Sequence, residues 1–242
     1  MSDASKKSRK GGRRDGTGHD NPCLLHWPSE SIPFQLYSAL AVDVLNWGTS
    51  DEPTRPGRSV VIASPSRGDG RTITAINLAI AAADVGAEVL LVDADLGNAK
   101  IPEMLGVGAT AGLVDTVLDG RGLEELVIAL PDRKVSLLPA GRSAGINPFS
   151  VVTNRAFFQV LERMRATFDL VVFDTPPLAS SSYAAALIKA SPDVVGVVRA
   201  ARTRKIEVAR LVDFVRSVDG DLSGLVFNDQ RQVIPGFVQR ML

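Results

Sequence analysis

The 242-residue chain has little sulfur, few aromatics and no long apolar run. Its one cysteine, Cys23, rules out an internal disulfide framework and a cysteine zinc cluster, and fits a reducing cytoplasm. Aromatic residues make up 5% of the chain, and only two are tyrosines, Tyr37 and Tyr183. The longest apolar stretches, DLVVFD and EVLLVDADL, are broken by charge far short of the roughly 20 residues a membrane-spanning helix needs. No span is predicted. The N-terminal MSDASKKSRKGGRRDG offers basic residues with no apolar stretch after them, so no secretory signal is expected. His19 and His26 have no acidic or cysteine partners at ligand spacing and are assigned no metal role.

What the chain does have is 45% hydrophobic content, enough for one sizeable core. Lys plus Arg and Asp plus Glu both number 27, but the charge is uneven. Six Lys or Arg against three Asp fall within residues 1–20, which read as a disordered basic tail. That tail is either a solvated segment or a salt-sensitive attachment to an anionic membrane surface or nucleic acid. Residues 21–57 hold an appended helix within PFQLYSALAVDVLNW and the Pro- and Gly-containing linker GTSDEPTRPG. From Arg58 to the C-terminus, residues 58–242, strand and helix signals alternate. SVVIAS, EVLLVD, KVSLLPAG, DLVVFD, DVVGVVRA and LSGLVFND are interleaved with helical stretches, and the strands are continuous apolar runs of the kind covered on both faces. The expected fold is α/β, a three-layer sandwich with a mainly parallel sheet, whose ligands sit beyond the carboxyl ends of the strands. The amphipathic stretches RKIEVARLVDFVRSV and FFQVLERMRATF read as helices packed on that sheet.

The first strand, SVVIAS, runs through PSRGDGRT directly into a helix, the context of a phosphate-binding P-loop. Gly68 and Gly70 let backbone N–H groups converge, and the helix beginning near Arg71 aims its positive end at the same point. Gly68, Asp69, Gly70, Arg71, Thr72 and Ile73 are the candidate nucleotide contacts, with the Thr72 hydroxyl available to magnesium. Against the pattern G-x-x-x-x-G-K-[ST], Pro65 stands at the first glycine and Arg71 at the lysine. EVLLVDADL brings Asp93 and Asp95 to the end of a second strand, and DLVVFDTPP brings Asp174 to the end of a third. Carboxylates that end buried strands need partners, and hydrated magnesium bridging phosphates is one that takes one or two protein carboxylates. The pattern points to ATP with Mg2+, with Thr72, Asp93 and Asp174 as metal candidates.

The runs ASPSRGDGRTITAINLAIAAADVGAEVLLVDADL, GLVDTVLDG, LLPAG followed by INP, and FDLVVFDTPP resemble the bacterial tyrosine kinases of capsule and exopolysaccharide synthesis. That family lies within the deviant-Walker P-loop group that includes the MinD and ParA proteins. The resemblance spans residues 58–229. It implies that Gly68 to Thr72 form Walker A, Asp93 and Asp95 Walker A′, and Asp174 Walker B. It also implies a catalytic set of Asp93, Asp95 and Arg71, in which one A′ acid helps activate a tyrosine hydroxyl. Asn228 matches an asparagine near the adenine in related proteins, and reads equally as a turn residue. A membrane-embedded polysaccharide copolymerase as activating partner, a homo-oligomer, a place at the inner face of the cell membrane and no specific nucleic-acid binding are the further implications.

Four departures from the family stand out. Arg71 replaces the phosphate-binding lysine, and a planar, longer guanidinium does not place charge as an ammonium does. The C-terminal RQVIPGFVQRML carries no tyrosine cluster. Gly97 follows the A′ acids where an arginine is usual, and Tyr183-Ala184 stands where Asp-Ala is common. The helix SIPFQLYSALAVDVL has no arginine, although the family's ring-assembly motif there carries one. Three readings remain open: a degenerate nucleotide-responsive scaffold of exopolysaccharide synthesis, an active tyrosine autokinase or ATPase of the same pathway, and a ParA/MinD-like positioning ATPase. Against the third, Ser66 holds the place of that group's signature lysine.

Overall fold

Seven strands and nine helices occupy the described residues, 31–47, 57–131, 134–178 and 182–229, of a computed structural model of the chain. The basic tail at 1–20, most of the linker, both histidines and the C-terminal RQVIPGFVQRML lie outside the described residues. The order is α1 (Ile32–Asn46), β1 (Arg58–Ala63), α2 (Arg71–Asp84), β2 (Val89–Asp93), α3 (Ile101–Leu105), α4 (Leu113–Asp119), α5 (Leu123–Leu126) and β3 (Ile128–Ala129). There follow β4 (Val135–Leu138), α6 (Pro148–Val152), α7 (Arg155–Thr167), β5 (Leu170–Asp174), α8 (Tyr183–Ala190), β6 (Asp193–Arg199), α9 (Lys205–Ser217) and β7 (Asp221–Asn228).

The sheet order is β3-β4-β2-β5-β1-β6-β7, parallel throughout except for the short β3–β4 pair. Strands β2 and β5 are buried at every position, as continuous apolar runs require when helices cover both faces. Alternate residues supply two separate cores. Val61, Val92 and Phe173 face α4, α7 and α8, whereas Val60, Ile62, Leu91 and Val172 face α1 and α2. The appended helix α1, capped by Ser31 at Phe34 N, buries Ala41 and Val44 against α2. Burial of this many Val, Leu and Ile side chains, each contributing roughly 1.5–3 kcal/mol, is the main force holding the three layers together.

Topology places the site. β1 lies between β5 and β6, and β5 between β2 and β1, so the ends of β1, β2 and β5 adjoin at one edge. Asp93 pairs in register with Asp174 across the β2–β5 ladder.

Candidate functional site

The connection from β1 to α2 is a tight loop whose glycines answer two different demands. Gly68 and Gly70 have φ of 85° and 105°, a region L-residues rarely adopt. A Cβ on Gly70 would also collide with the Asn228 side-chain amide. Asp69 braces the loop from beneath. Its Oδ2 accepts from Ser66 N at 2.8 Å, its Oδ1 accepts from Thr203 Oγ1 at 3.5 Å, and its carbonyl accepts from Asn228 Nδ2 at 3.0 Å. The structure thus puts Asp69 and Asn228 into the frame that holds the loop against β6 and β7. Thr72 and Ile73 sit half-buried in the first turn of α2, whose 14 residues direct a helix N-terminus at the loop.

Arg71, at 7% exposure, points inward. Its Nε donates to Thr175 O at 2.7 Å, its NH1 donates to Ser64 Oγ and to Ser66 O at 3.1 Å, and its NH2 lies 3.9 Å from Asp95. Burial pulls the guanidinium below its ordinary pKa, opposed by the charges of Asp174 and Asp95, and it stays protonated. Nε and both NH1 hydrogens, three of the five donors, are therefore engaged by the protein.

The acids meet as their strands do. Thr72 Oγ1 donates to Asp174 Oδ2 at 2.7 Å. Asp93 Oδ2 accepts from Lys100 N and Ile101 N, both at 3.0 Å, which ties β2 to the start of α3. The other oxygens, Asp93 Oδ1 and Asp174 Oδ1, are buried without a hydrogen-bond partner. Burial raises Asp174 to about 7, with the neighbouring Asp93 charge adding to it, and raises Asp93 to about 6. Two partnerless carboxylate oxygens on adjoining strand ends, beside a hydroxyl, match the donor set of a hydrated magnesium ion. Asp95 is also raised by burial, against the opposing pull of Arg71. It lines a cavity of about 590 Å³ beside the loop, with Ser66, Arg67, Asn98, Phe149 and Tyr183 among the walls.

Sequence patterns brought together Gly68, Gly70, Arg71, Thr72, Asp93, Asp95 and Asp174, and the structure gathers all seven around one crevice. Ser64, Thr175 and Thr203 were not singled out, because two of them act through a hydroxyl and Thr175 engages Arg71 through its carbonyl, neither of which follows a motif. Tyr183 stands out in the sequence only as a departure from the family pattern, with no role at the site. It is buried at the start of α8, and its hydroxyl bonds the loop between Asp93 and Leu96. Its rarity and its place nine residues after the DTPP stretch begins were the available signals.

The AAA-domain family profile matches residues 57–223. Among characterised proteins, the chain is 28% identical over 177 residues to the tyrosine-protein kinase YwqD of Bacillus subtilis, covering 73% of this chain and 74% of that protein. It is 28% identical over 169 residues to the putative tyrosine-protein kinase EpsB of Ralstonia nicotianae, covering 70% of this chain but 22% of that protein. Among solved structures, the chimerical protein CapA2B2 superposes with a TM-score of 0.79 at 24% identity, over 87% of this chain and 91% of that one. The septum site-determining protein MinD of Pyrococcus horikoshii, solved with Mg-ADP, has a TM-score of 0.62 at 20% identity, over 76% of each chain. The profile match runs from the residue before β1 to the start of β7 and so includes the loop between β1 and α2.

Proposed function

The chain belongs to the AAA-domain family of P-loop proteins, and from that footing we propose that it is an ATP- and magnesium-binding, tyrosine-kinase-like regulator of exopolysaccharide or capsule synthesis in which phosphate transfer is impaired. One observation carries the impairment: the Arg71 guanidinium is bound to Thr175 O, Ser64 Oγ and Ser66 O and turned toward Asp95, so its charge is held inside the protein. Phosphate transfer depends on positioning, so a cation held there weakens turnover as well as binding.

In this reading the backbone amides of Gly68 to Thr72 and the N-terminus of α2 hold the phosphates. Thr72, Asp93 and Asp174 would hold magnesium, which supplies charge neutralisation on the phosphate oxygens. Asp95, whose pKa burial raises, stands where it could take the proton of an attacking hydroxyl. Neither tyrosine is a free acceptor. Tyr37 donates to Thr74 Oγ1 at 3.4 Å between α1 and α2, and the buried Tyr183 is bonded to the A′ loop. A phosphate acceptor on another chain fits this reading. A membrane-embedded polysaccharide copolymerase is the partner this reading names, with the protein at the inner face of the membrane and able to self-associate. Among the described residues no helix is long and apolar enough to cross a membrane.

A second reading, an active kinase or ATPase of the same pathway, draws on the intact Thr72–Asp174 bond and the two partnerless carboxylate oxygens. Calorimetry of magnesium-ATP binding and phosphotyrosine formation on an added acceptor, for the natural chain and for Arg71→Lys, separate the two. Impairment predicts binding by both and transfer at least roughly tenfold faster in Arg71→Lys. Equal transfer rates would make the kinase reading the correct one, and no binding by the natural chain would remove the nucleotide site itself.

A further inference from the structure

We propose that Tyr183 is a positioning residue for the A′ acid Asp95, clamping the peptide on either side of it so that its carboxylate stays on the wall of the cavity beside the phosphate loop. The inference rests on the nucleotide-site reading for what Asp95 does, and on geometry alone for the clamp.

Tyr183 opens α8, and its ring is buried in the core shared with Leu187, Val92 and Ala94. The phenol oxygen reaches across to β2, donating to Ala94 O at 3.1 Å and accepting from Leu96 N at 3.0 Å. These two groups flank Asp95 in the chain. A single oxygen thus fixes the carbonyl before Asp95 and the amide after it, and both bonds are buried. The turn is closed on its far side by Asn98 N donating to Asp95 O at 2.8 Å. Asp95 consequently has little backbone freedom, and its carboxylate is held 3.9 Å from Arg71 NH2.

A buried tyrosine of ordinary structural type needs one partner for its hydroxyl. Tyr183 has two, both on the loop that carries the A′ acids and neither on its own helix. Tyr183→Phe removes only the oxygen, leaves Ala94 O and Leu96 N–H buried and unpaired, and keeps the packing of the ring. The A′ loop then opens around Asp95 while Asp93, held by Lys100 N and Ile101 N, stays in place.

The test uses the full chain. Amide hydrogen exchange in Tyr183→Phe should be at least roughly tenfold faster at Leu96 and unchanged at Ile101. Unchanged exchange at Leu96, or equal acceleration at both amides, overturns the clamp. This arm needs no nucleotide, so it is decided even if the chain binds none. Function is read by a double-mutant cycle on magnesium-ATP turnover in the Arg71→Lys background. Tyr183→Phe should lower kcat roughly tenfold with KM for ATP within about threefold, and cost less than about twofold once Asp95→Asn is present. Additive effects would mean that Tyr183 does not act through Asp95. Should Tyr183→Phe fail to fold, fluorine NMR of the 3-fluorotyrosine-labelled natural chain serves instead, since it has just two tyrosines. Asp95→Asn should then move the Tyr183 signal and leave that of Tyr37, and an unmoved Tyr183 signal overturns the proposal.

Discussion

Replacing Arg71 with lysine should make the nucleotide-free protein less stable and its complex with magnesium-ATP tighter. The guanidinium bonds Thr175 O through Nε and both Ser64 Oγ and Ser66 O through NH1, so its donors come from two separate nitrogens. A lysine ammonium presents its donors from one atom and leaves at least one of these inward acceptors unpaired. An unpaired buried group costs about 1–3 kcal/mol. For a domain of this size that lowers Tm by about 2–12 °C. The freed ammonium can meet a phosphate oxygen, and a hydrogen bond to a charged group contributes about 1.5–3 kcal/mol, or roughly 10- to 150-fold in Kd. Scanning calorimetry without nucleotide and titration calorimetry with magnesium-ATP measure the two effects. A variant that melts no lower than the natural chain and binds no tighter would refute the view that Arg71 is held by the protein instead of by phosphate.

Three further perturbations follow from the same geometry. Asp174 and Asp93 are raised to about 7 and about 6, while an unfolded carboxyl titrates near 4, so the folded chain keeps protons that the unfolded chain releases. Metal-free stability should therefore fall, by on the order of a few kcal/mol for the coupled pair, as pH rises from about 4 to about 7. Urea melts in chelator across that range should show the fall, Mg2+ should reduce it, and a flat profile would refute it. Gly70→Ala places a Cβ at φ 105° and against the Asn228 amide. It should lose about 1–3 kcal/mol and weaken nucleotide binding, with Asn228→Gly partly restoring both in equilibrium titrations. The Asp115 carboxylate accepts from Gly112 N at 2.9 Å, Arg142 N at 3.2 Å and Arg142 Nε at 2.6 Å, joining α4 to the turn after β4. Asp115→Ala should cost about 1–3 kcal/mol in a denaturant melt and leave magnesium-ATP affinity unchanged.

The strand runs were readable because burial on both faces imposes continuous apolar sequence, and β1, β2, β5 and β6 follow it closely. The acids ending DLVVFD and EVLLVD could be read for the converse reason, since a charge ending such a run stands where the sheet meets its ligand crevice. Short elements such as α3, α5 and β3 had no comparable signal. Five residues or fewer do not complete the repeats by which a helix or strand declares itself. Asp69 and Asn228 were legible as neighbours of a nucleotide site and not as braces of the loop, because their bonds join residues 159 positions apart.

Sequence alone thus determined the α/β class, the P-loop between β1 and α2, and the three aspartates at strand ends, because each depends on local periodicity or on residue type at a strand boundary. Tertiary structure decided where those groups point. Arg71 could equally have faced outward to phosphate, and only the meeting of β1 with the Thr175 carbonyl beyond β5 turns its guanidinium inward. Tyr183 is 88 residues from Asp95 in the chain, and no pattern within α8 announces which loop its hydroxyl will reach. Such contacts arise when crossovers bring distant strand ends together, and their geometry is a property of the packed sheet instead of any one segment.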